Sequence, residues 1–396
     1  VFPTLYHFLK DTLGIQIGAL QILNTFGFFV ALSIAGAFWS MTAEMKRRGG
    51  LGQFQGVVVK TVLGAPYPIA EYVLNGLLAF VFGYKVLFLL FNAGEGFSPQ
   101  EHLFSSEGSL VLGLMCMAVV LGLRYRADMK QRLPEPIEKT ESMGPDWHMG
   151  HITTVALISG FLGAKVFHIL EDPAGLKSFD NIVANLFSTG GWTFYGGLIC
   201  GAAGVMVYCY KKGLSLLRML DSGGPAMMLA YGIGRFGCHF SGDGDWGIAN
   251  TAARPGWLSW LPDWAWSYSY PHNVLGDQAA TQVKFINGCT GNYCYELAVP
   301  VYPTPLYEAL MGLILFFILW KWIRHKVQSP GNVFAWYLVF AGFERFLIEN
   351  IREHGSSLYR FGGLVFSQAQ LISLVLLGIG TIWLLFGKRL TVSKTD

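Results

Sequence analysis

Charge is scarce in this chain: Asp, Glu, Lys and Arg make up 13% of its 396 residues, about half of the roughly 25% usual in soluble domains. A soluble fold so poor in charge could not cover its surface. That excludes a cytosolic enzyme and a disordered chain. Cysteine is scarce too, at six, which excludes a disulfide-built secreted scaffold. Cys116, Cys200, Cys209 and Cys238 fall in apolar stretches, where a thiol normally acts as a small apolar filler. Cys289 and Cys294 share a polar loop, and both a disulfide and two free thiols are open there. No group of His, Cys and acidic residues has metal-site or calcium-loop spacing, so no metal is expected. Cofactor and nucleotide motifs, repeats, low-complexity runs and a nucleic-acid-binding patch are all missing, so neither a cofactor nor a nucleic-acid partner is expected. Residues 1–17 lack the charged start of a cleavable signal peptide.

What the chain does have is apolar length, with 53% hydrophobic residues, 15% aromatics and a mean hydropathy of +0.42. A helix crosses the hydrocarbon core with about 20 apolar residues. Nine stretches qualify: 18–41, 69–92, 108–123, 151–170, 191–210, 221–240, 305–323, 332–350 and 367–387. The expected fold is therefore an all-α polytopic membrane protein of about nine transmembrane helices.

Basic loops stay on the cytoplasmic side. Lys46, Arg47, Arg48 and Lys60 follow the first span; Arg124, Arg126, Lys130, Arg132 and Lys139 follow the third. Lys211, Lys212 and Arg218 follow the fifth, Lys321, Arg324 and Lys326 the seventh, and Lys388, Arg389 and Lys394 the ninth. The intervening loop 93–107 has no Lys or Arg, and 171–190 has only Lys177. This alternation puts the N-terminus outside and the C-terminus in the cytoplasm. The whole chain, 1–396, reads as one integral membrane domain, and 241–304, rich in Trp, Tyr, Pro and Gly, as a cap on its outer face. Aromatics of that kind suit the headgroup layer. Lys85 and Lys165 lie near span ends and are expected to snorkel.

Ionisable groups inside a span are expensive and are functional candidates by default. Arg235 stands about 14 residues above Asp221, roughly 21 Å up the sixth span; Arg345 stands about 13 residues above Asn332, roughly 20 Å up the eighth. Tyr195 lies about one turn below the outer end of the fifth span. Three polar groups from three helices thus reach similar depth, in the outer third of the bilayer. Arginine stays charged when partly desolvated, and its planar fork can grip two phosphate oxygens. The pair suits a phospholipid headgroup, with Gly237 and Gly247 among the glycines that permit close approach. Blander readings stand beside this one. Arg345 and Glu349 could form a structural i, i+4 ion pair. His239 could be a headgroup contact or cap rather than a base, Asp243 and Asp245 could be turn residues, and Tyr195 could be an interfacial belt aromatic.

At these residues the sequence resembles the bacterial prolipoprotein diacylglyceryl transferases. GRFGCHFSGDGDWG resembles that family's signature, GGWTFYGGLICG its Gly-rich segment, and YPTPLYEAL its Pro-x-x-Leu-Tyr-Glu helix start. GFERFLIENIRE resembles its Arg-Phe-x-x-Glu-x-x-Arg segment and FSQAQLIS the start of its final helix. Together these cover about residues 151–386, with a weaker match at FGFFVALSIAGAFW. The resemblance implies transfer of the diacylglyceryl group of phosphatidylglycerol to the lipobox cysteine of a prolipoprotein, with glycerol phosphate leaving and a thioether forming. It implies a bacterial cytoplasmic-membrane location with the site opening outward. The partners implied are phosphatidylglycerol, the prolipoprotein signal peptide and the surrounding membrane lipids.

Carried over residue by residue, the resemblance makes Arg235 and Arg345 a phosphate clamp, with Glu349 and Arg352 orienting Arg345. Tyr307 and Glu308 would give packing and hydrogen-bond support, and Gly196 and Gly197 would let the lipid approach. Tyr195, His239 and Asp243 are the candidates for activating the thiol, with Ser241 at the substrate side. The chain departs from the family where Tyr195 replaces a histidine and where Cys238 and Ser241 replace asparagines. A further departure is residues 61–140, an extra hairpin and cytoplasmic loop inserted into a seven-span core. Two rival classes remain at this point: a non-catalytic lipid-binding relative, and a transporter of an anionic lipid or small anion. The transporter predicts a midplane site and an internal repeat, neither of which the sequence has.

Overall fold

The computed structural model describes residues 1–92, 102, 105–171, 178, 181–182, 185–186, 191, 193–279, 281–327, 329–353, 358–361 and 364–392. Lys177, Lys394 and part of the loop 93–107 lie outside the described residues. Among the described residues six helices are long and apolar enough to cross a membrane by length and composition. This is a mostly helical, multi-pass membrane protein.

By its internal packing the chain forms two compact units, residues 1–47 with 214–396, and residues 48–213. The second unit begins with an antiparallel ribbon of β1 (Val57–Leu63) and β2 (Ile137–Met143), in which Val57 pairs with Met143 and Leu63 with Ile137. The run VVVKTVL is β-branched enough to favour a strand. Between the two strands lies a helical hairpin. Its first arm, Ile69–Phe91, carries a π turn at Phe82–Leu87, and its second arm runs Leu110–Gln131. The second arm outruns the expected span 108–123 by two turns, because Arg124, Arg126 and Lys130 continue the helix. Asp128 is fully buried and gathers the base of the hairpin: it accepts from the Tyr67 backbone N–H at 3.0 Å, the Tyr72 hydroxyl at 2.8 Å and Arg132 at 2.7 Å.

Lys85 does not snorkel. Its buried ammonium donates to the carbonyls of His102 (3.1 Å), Ser105 and Glu107 (2.7 Å), tying the loop to the π turn. Lys165 is buried too, and donates to the Asn185 carbonyl at 3.2 Å. It lies in Met149–Glu171, which packs against Phe194–Lys211.

The first unit is built on five long helices: α1 (Thr25–Gly50, of which 25–47 belong to this unit), α2 (Leu216–Ser241), α3 (Thr304–Ile318, continued to Lys326 through a π turn), α4 (Asn332–Ile348) and α5 (Gln368–Val392). α1 starts seven residues later than its expected span. The Asn24 side chain accepts from the Gly27 N–H at 2.6 Å and starts the helix there, while 18–22 form a 3₁₀ turn. α2 and α3 meet at Gly232 and Gly312, where a Cβ on Gly312 would stand 3.0 Å from the Gly232 Cα. Small residues bring membrane helices to backbone contact in this way. Met228, Leu229, Phe316, Leu319 and Trp320 form the core beside that crossing.

Fully buried Asp221, at the opposite end of α2 from Arg235, caps α4: its carboxylate accepts from the N–H groups of Gly331 (2.9 Å) and Phe334 (3.0 Å). These are first-turn donors with no partner inside their own helix. The segment 242–303 folds over its own small core of Trp246, Tyr270, Leu297 and Val301. A ribbon of Val283–Phe285 with Tyr295–Leu297 and a Cys289–Cys294 disulfide lock the segment, so the open question of those two cysteines closes in favour of the bond.

Candidate active site

The distant ends of α2, α3 and α4 bring three arginines onto one carboxylate. Glu308 is wholly buried on α3. Its Oε1 accepts from Arg345 Nη1 at 3.1 Å and Arg352 Nη1 at 3.2 Å, and its Oε2 pairs with Arg235 Nε at 3.1 Å. Arg235 comes from α2, Arg345 from the last turn of α4 and Arg352 from the segment that follows it. Asp245, on the loop after α2, takes the other side, with Oδ2 on Arg235 and Oδ1 on Arg352. Arg345 also pairs with Glu349 at 2.9 Å, so the i, i+4 ion pair does form. Glu349 is held in turn by the Ser367 hydroxyl at 2.8 Å, which ties the motif of α4 to the start of α5.

Behind Arg235 lies a pair that the sequence did not suggest. The guanidinium carbon of Arg235 stands 5.3 Å from the centre of the Tyr231 ring, within cation–π range. The Tyr231 hydroxyl donates to the Glu344 carboxylate, at 3.1 and 3.2 Å from its two oxygens. Glu344 is buried, and among the described residues it forms no ion pair. Tyr231 sits i−4 from Arg235, and Glu344 is the neighbour of Arg345. That spacing and the matching depth of Arg235 and Arg345 were visible in the sequence, but neither showed that Tyr231 of α2 and Glu344 of α4 face one another.

The backbone around the cluster is closely fitted. Gly247 forms a β-bridge with Arg352, its N–H donates to the Tyr302 carbonyl at 2.9 Å, and the Ile248 N–H donates to Ile351 at 2.9 Å. A Cβ on Gly247 would fall 2.4 Å from the Ile351 carbonyl. Gly247 therefore serves the approach of the strand that delivers Arg352. The Thr304 hydroxyl donates to the Asp245 carbonyl at 3.0 Å, fixing the loop to the start of α3.

Electrostatics separate the two loop carboxylates. Burial pushes Asp245 up, but the charges of Arg235 and Arg352 outweigh it and hold Asp245 below the usual carboxylate range. Burial, aided by the charge of Asp245, pushes Asp243 up. Asp243 accepts from the Asp245 N–H at 3.3 Å, and the Cys238 thiol lies against it; Cys238 is also 3.8 Å from Arg235. Cys238, Asp243 and Asp245 offer three ligand atoms close together. The bonds of Asp245 to Arg235 and Arg352 account for that cluster without an ion.

The remaining expected residues sit elsewhere. His239 is buried among Phe240, Trp264, Tyr268 and Tyr270, with Nδ1 at 3.2 Å from the Tyr270 hydroxyl, so it faces the aromatic cap. Ser241 ends α2 and donates to the Cys238 carbonyl at 3.4 Å. Tyr307 donates to the Ala265 carbonyl at 2.7 Å and secures the cap. Gly237 packs against Phe26 and Phe29 of α1. Tyr195, Gly196 and Gly197 belong to the other unit. Tyr195 is about half exposed, while the space beside Gly196 is filled by Phe167 and the Gly163 carbonyl, and that beside Gly197 by Gly160 and Ala164. The glycine pair thus accounts for helix packing within that unit.

Comparison with known proteins bears on this arrangement directly. A sequence model of the prolipoprotein diacylglyceryl transferase family matches residues 113–386, which include every member of the arginine cluster. The chain belongs to that family. The phosphatidylglycerol–prolipoprotein diacylglyceryl transferase of Leptospira interrogans is 25% identical over 297 residues, covering 64% of this chain and 83% of its own. That of Streptococcus pyogenes is 31% identical over 238 residues, covering 59% of this chain and 77% of its own. The family match begins at residue 113, inside the hairpin, so its first arm and the ribbon strand Val57–Leu63 precede the matched region.

Proposed function

We infer that the protein transfers the diacylglyceryl group of phosphatidylglycerol to the lipobox cysteine of a prolipoprotein. The observation that supports this most is the convergence of Arg235, Arg345 and Arg352 on Glu308 in a chain of this family. The reacting glycerol carbon is bonded to the phosphate through oxygen. Arginines fixed beside that phosphate neutralise the charge that grows on it as the C–O bond breaks, the form of preorganised electrostatic help that lowers such barriers most. The thiolate, which is the nucleophilic form, attacks the carbon. A thioether forms, and glycerol phosphate carries away the bonding pair.

Arg235 and Arg345 are the phosphate clamp in this reading, and Arg352, held on the same Glu308, joins Arg235 in taking the phosphate oxygens. Asp243, which forms no ion pair among the described residues, receives the thiol proton at the mouth of the site. His239 and Ser241 shape the wall on which Asp243 stands. Tyr195 serves as a hydrogen-bond donor rather than as the base.

The alternation of basic loops supports nine spans with the N-terminus outside, the arginine cluster towards the outer face, and residence in the bacterial inner membrane. Residues 61–140 are the inserted hairpin of one integral domain, and 241–304 its outer cap. Phosphatidylglycerol enters sideways between helices, and the signal-peptide helix docks at the same cleft.

The test is direct. Purified protein in phosphatidylglycerol micelles is given a lipobox peptide, and thioether-linked product and released glycerol phosphate are measured. Equal amounts of both are expected. No product under conditions in which a known member of the family is active would sink the reading.

A further inference from the structure

Asp245 and Glu308 hold the same arginines but are differently placed. The Glu308 side chain is 0% exposed on the rigid start of α3, whereas that of Asp245 is 35% exposed on the loop 242–247. Gly244 in that loop has φ +99°, open to glycine but strained for other residues. Asp245 divides its two oxygens between Arg235 and Arg352, as two oxygens of one phosphate would be divided.

Charge counting separates the two carboxylates further. Three arginines face three ion-paired carboxylates, Asp245, Glu308 and Glu349, so the paired group is neutral. Glu344 is bonded to Tyr231 and Asp243 to the loop; both lie outside this count and add only negative charge. A phosphodiester brought onto the intact cluster would leave excess negative charge in a partly desolvated site, which is costly. If it takes the place of Asp245, the count stays even, and a carboxylate already about one-third exposed gains water in exchange.

We propose that the phosphodiester of an anionic lipid displaces Asp245 from Arg235 and Arg352, so that the turn 243–245 leaves the arginines when lipid binds and returns when the phosphate product departs, while Trp246 and Gly247 stay anchored. Naming phosphatidylglycerol as that lipid rests on the function proposed above. Asp245 is then a positioning residue. It keeps the guanidinium groups of Arg235 and Arg352 spaced for two oxygens before lipid arrives, and it competes with the product for them afterwards.

The wild-type protein in detergent tests this through hydrogen exchange at residues 242–248, with and without short-chain phosphatidylglycerol. Displacement requires the Asp245 amide, bonded to Asp243, to exchange faster when lipid is bound. Protection, or no change at saturating lipid, overturns the proposal. A second arm uses Asp245→Asn, which should bind the same lipid at least about tenfold more tightly, the scale of one charge-assisted hydrogen bond. In turnover its KM for lipid and its kcat should fall together, because product is held. Equal or weaker binding by the folded variant also overturns the proposal. Failure of the transfer reading looks different: loop release on lipid binding, with no thioether from the lipobox peptide, removes the reaction and leaves the displacement. Thioether formation with unchanged loop exchange does the reverse.

Discussion

At the scale of single residues, the site is set by geometry more than by charge. Arg235 uses Nε towards Glu308 and Nη1 towards Asp245, a fork that a point-charge ammonium cannot reproduce. Arg235→Lys and Arg345→Lys should therefore lose activity by about 10²–10³, the cost of removing one oriented donor from a developing anion, while melting near the wild-type temperature. Full activity in both would remove the clamp. The two loop carboxylates carry a pH prediction with a definite sign. Asp243 must be ionised to take a proton, and burial raises its pKa. The rate should therefore fall as pH drops through a value above the ordinary carboxylate range, and Asp243→Asn should be slow and lack that limb. Asp245 is held low by its arginines and stays ionised throughout that window. A limb that survives Asp243→Asn would move the base elsewhere. Arg235 and Arg345 could be picked from the sequence because a charge in an apolar stretch stands out, whereas Glu349 enters as the i, i+4 neighbour of Arg345 and Arg352 through the family resemblance. Glu308 was marked only as packing and hydrogen-bond support, and Tyr231, Glu344 and Asp245 could not be ranked that way. Their importance is a matter of which helices touch, and apolar periodicity does not encode contacts between residues 113 positions apart, such as Tyr231 and Glu344.

At the scale of elements, the positions of α2, α3 and α4 decide whether the arginines meet at all. Two devices hold them: the Gly232–Gly312 crossing and the cap that Asp221 places on α4. Asp221 lies about 14 residues below Arg235 on the same helix, so it registers α4 against α2 from the end opposite the site. Asp221→Ala leaves the Gly331 and Phe334 amides buried without an acceptor, at a cost of about 1–3 kcal/mol. A lower thermal midpoint in detergent is expected, together with reduced turnover from a cluster that no longer aligns. Asp221→Asn keeps one acceptor oxygen and should recover much of both. If Asp221→Ala melts like wild type, the cap is not what holds α4. The long helices themselves were legible, since apolar runs bounded by charge locate them within a turn or two. Their exact starts depended on local chemistry, such as the Asn24 side chain that delays α1. The β1–β2 ribbon is carried by the β-branched run VVVKTVL, but strands of seven residues fall far below the length of a span and leave no mark in the apolar-length pattern.

At the scale of the whole molecule, the reading with most at stake is topology, because it decides which side of the membrane supplies the thiol. Basic residues cluster after alternate apolar stretches, and on the proposed topology the hairpin adds two crossings, which would leave every later helix with the direction it would have without them. The two ends of that hairpin therefore provide the check. Glu107 lies on the loop that lacks Lys and Arg and has a largely exposed side chain, whereas Glu135 is exposed on the basic loop near Arg132 and Lys139. Single cysteines placed there, Glu107→Cys and Glu135→Cys, are treated in intact cells with a membrane-impermeant maleimide. Cysteine at 107 should label at once, and cysteine at 135 only after permeabilisation. The tryptophans of the cap report a separate point, whether that segment lies on a membrane surface. Trp257 and Trp260 are each 77% exposed, a large apolar area for a segment facing bulk water, but one suited to the headgroup layer. Their fluorescence should be quenched by lipids brominated high on the acyl chain, and Trp257→Phe with Trp260→Phe should lower that quenching by the share these two contribute beside Trp39 and Trp322, which are also exposed. Labelling in the opposite sense would put the arginine cluster on the cytoplasmic side, away from the compartment in which a translocated lipobox cysteine is presented, and the transfer reaction would lose its substrate.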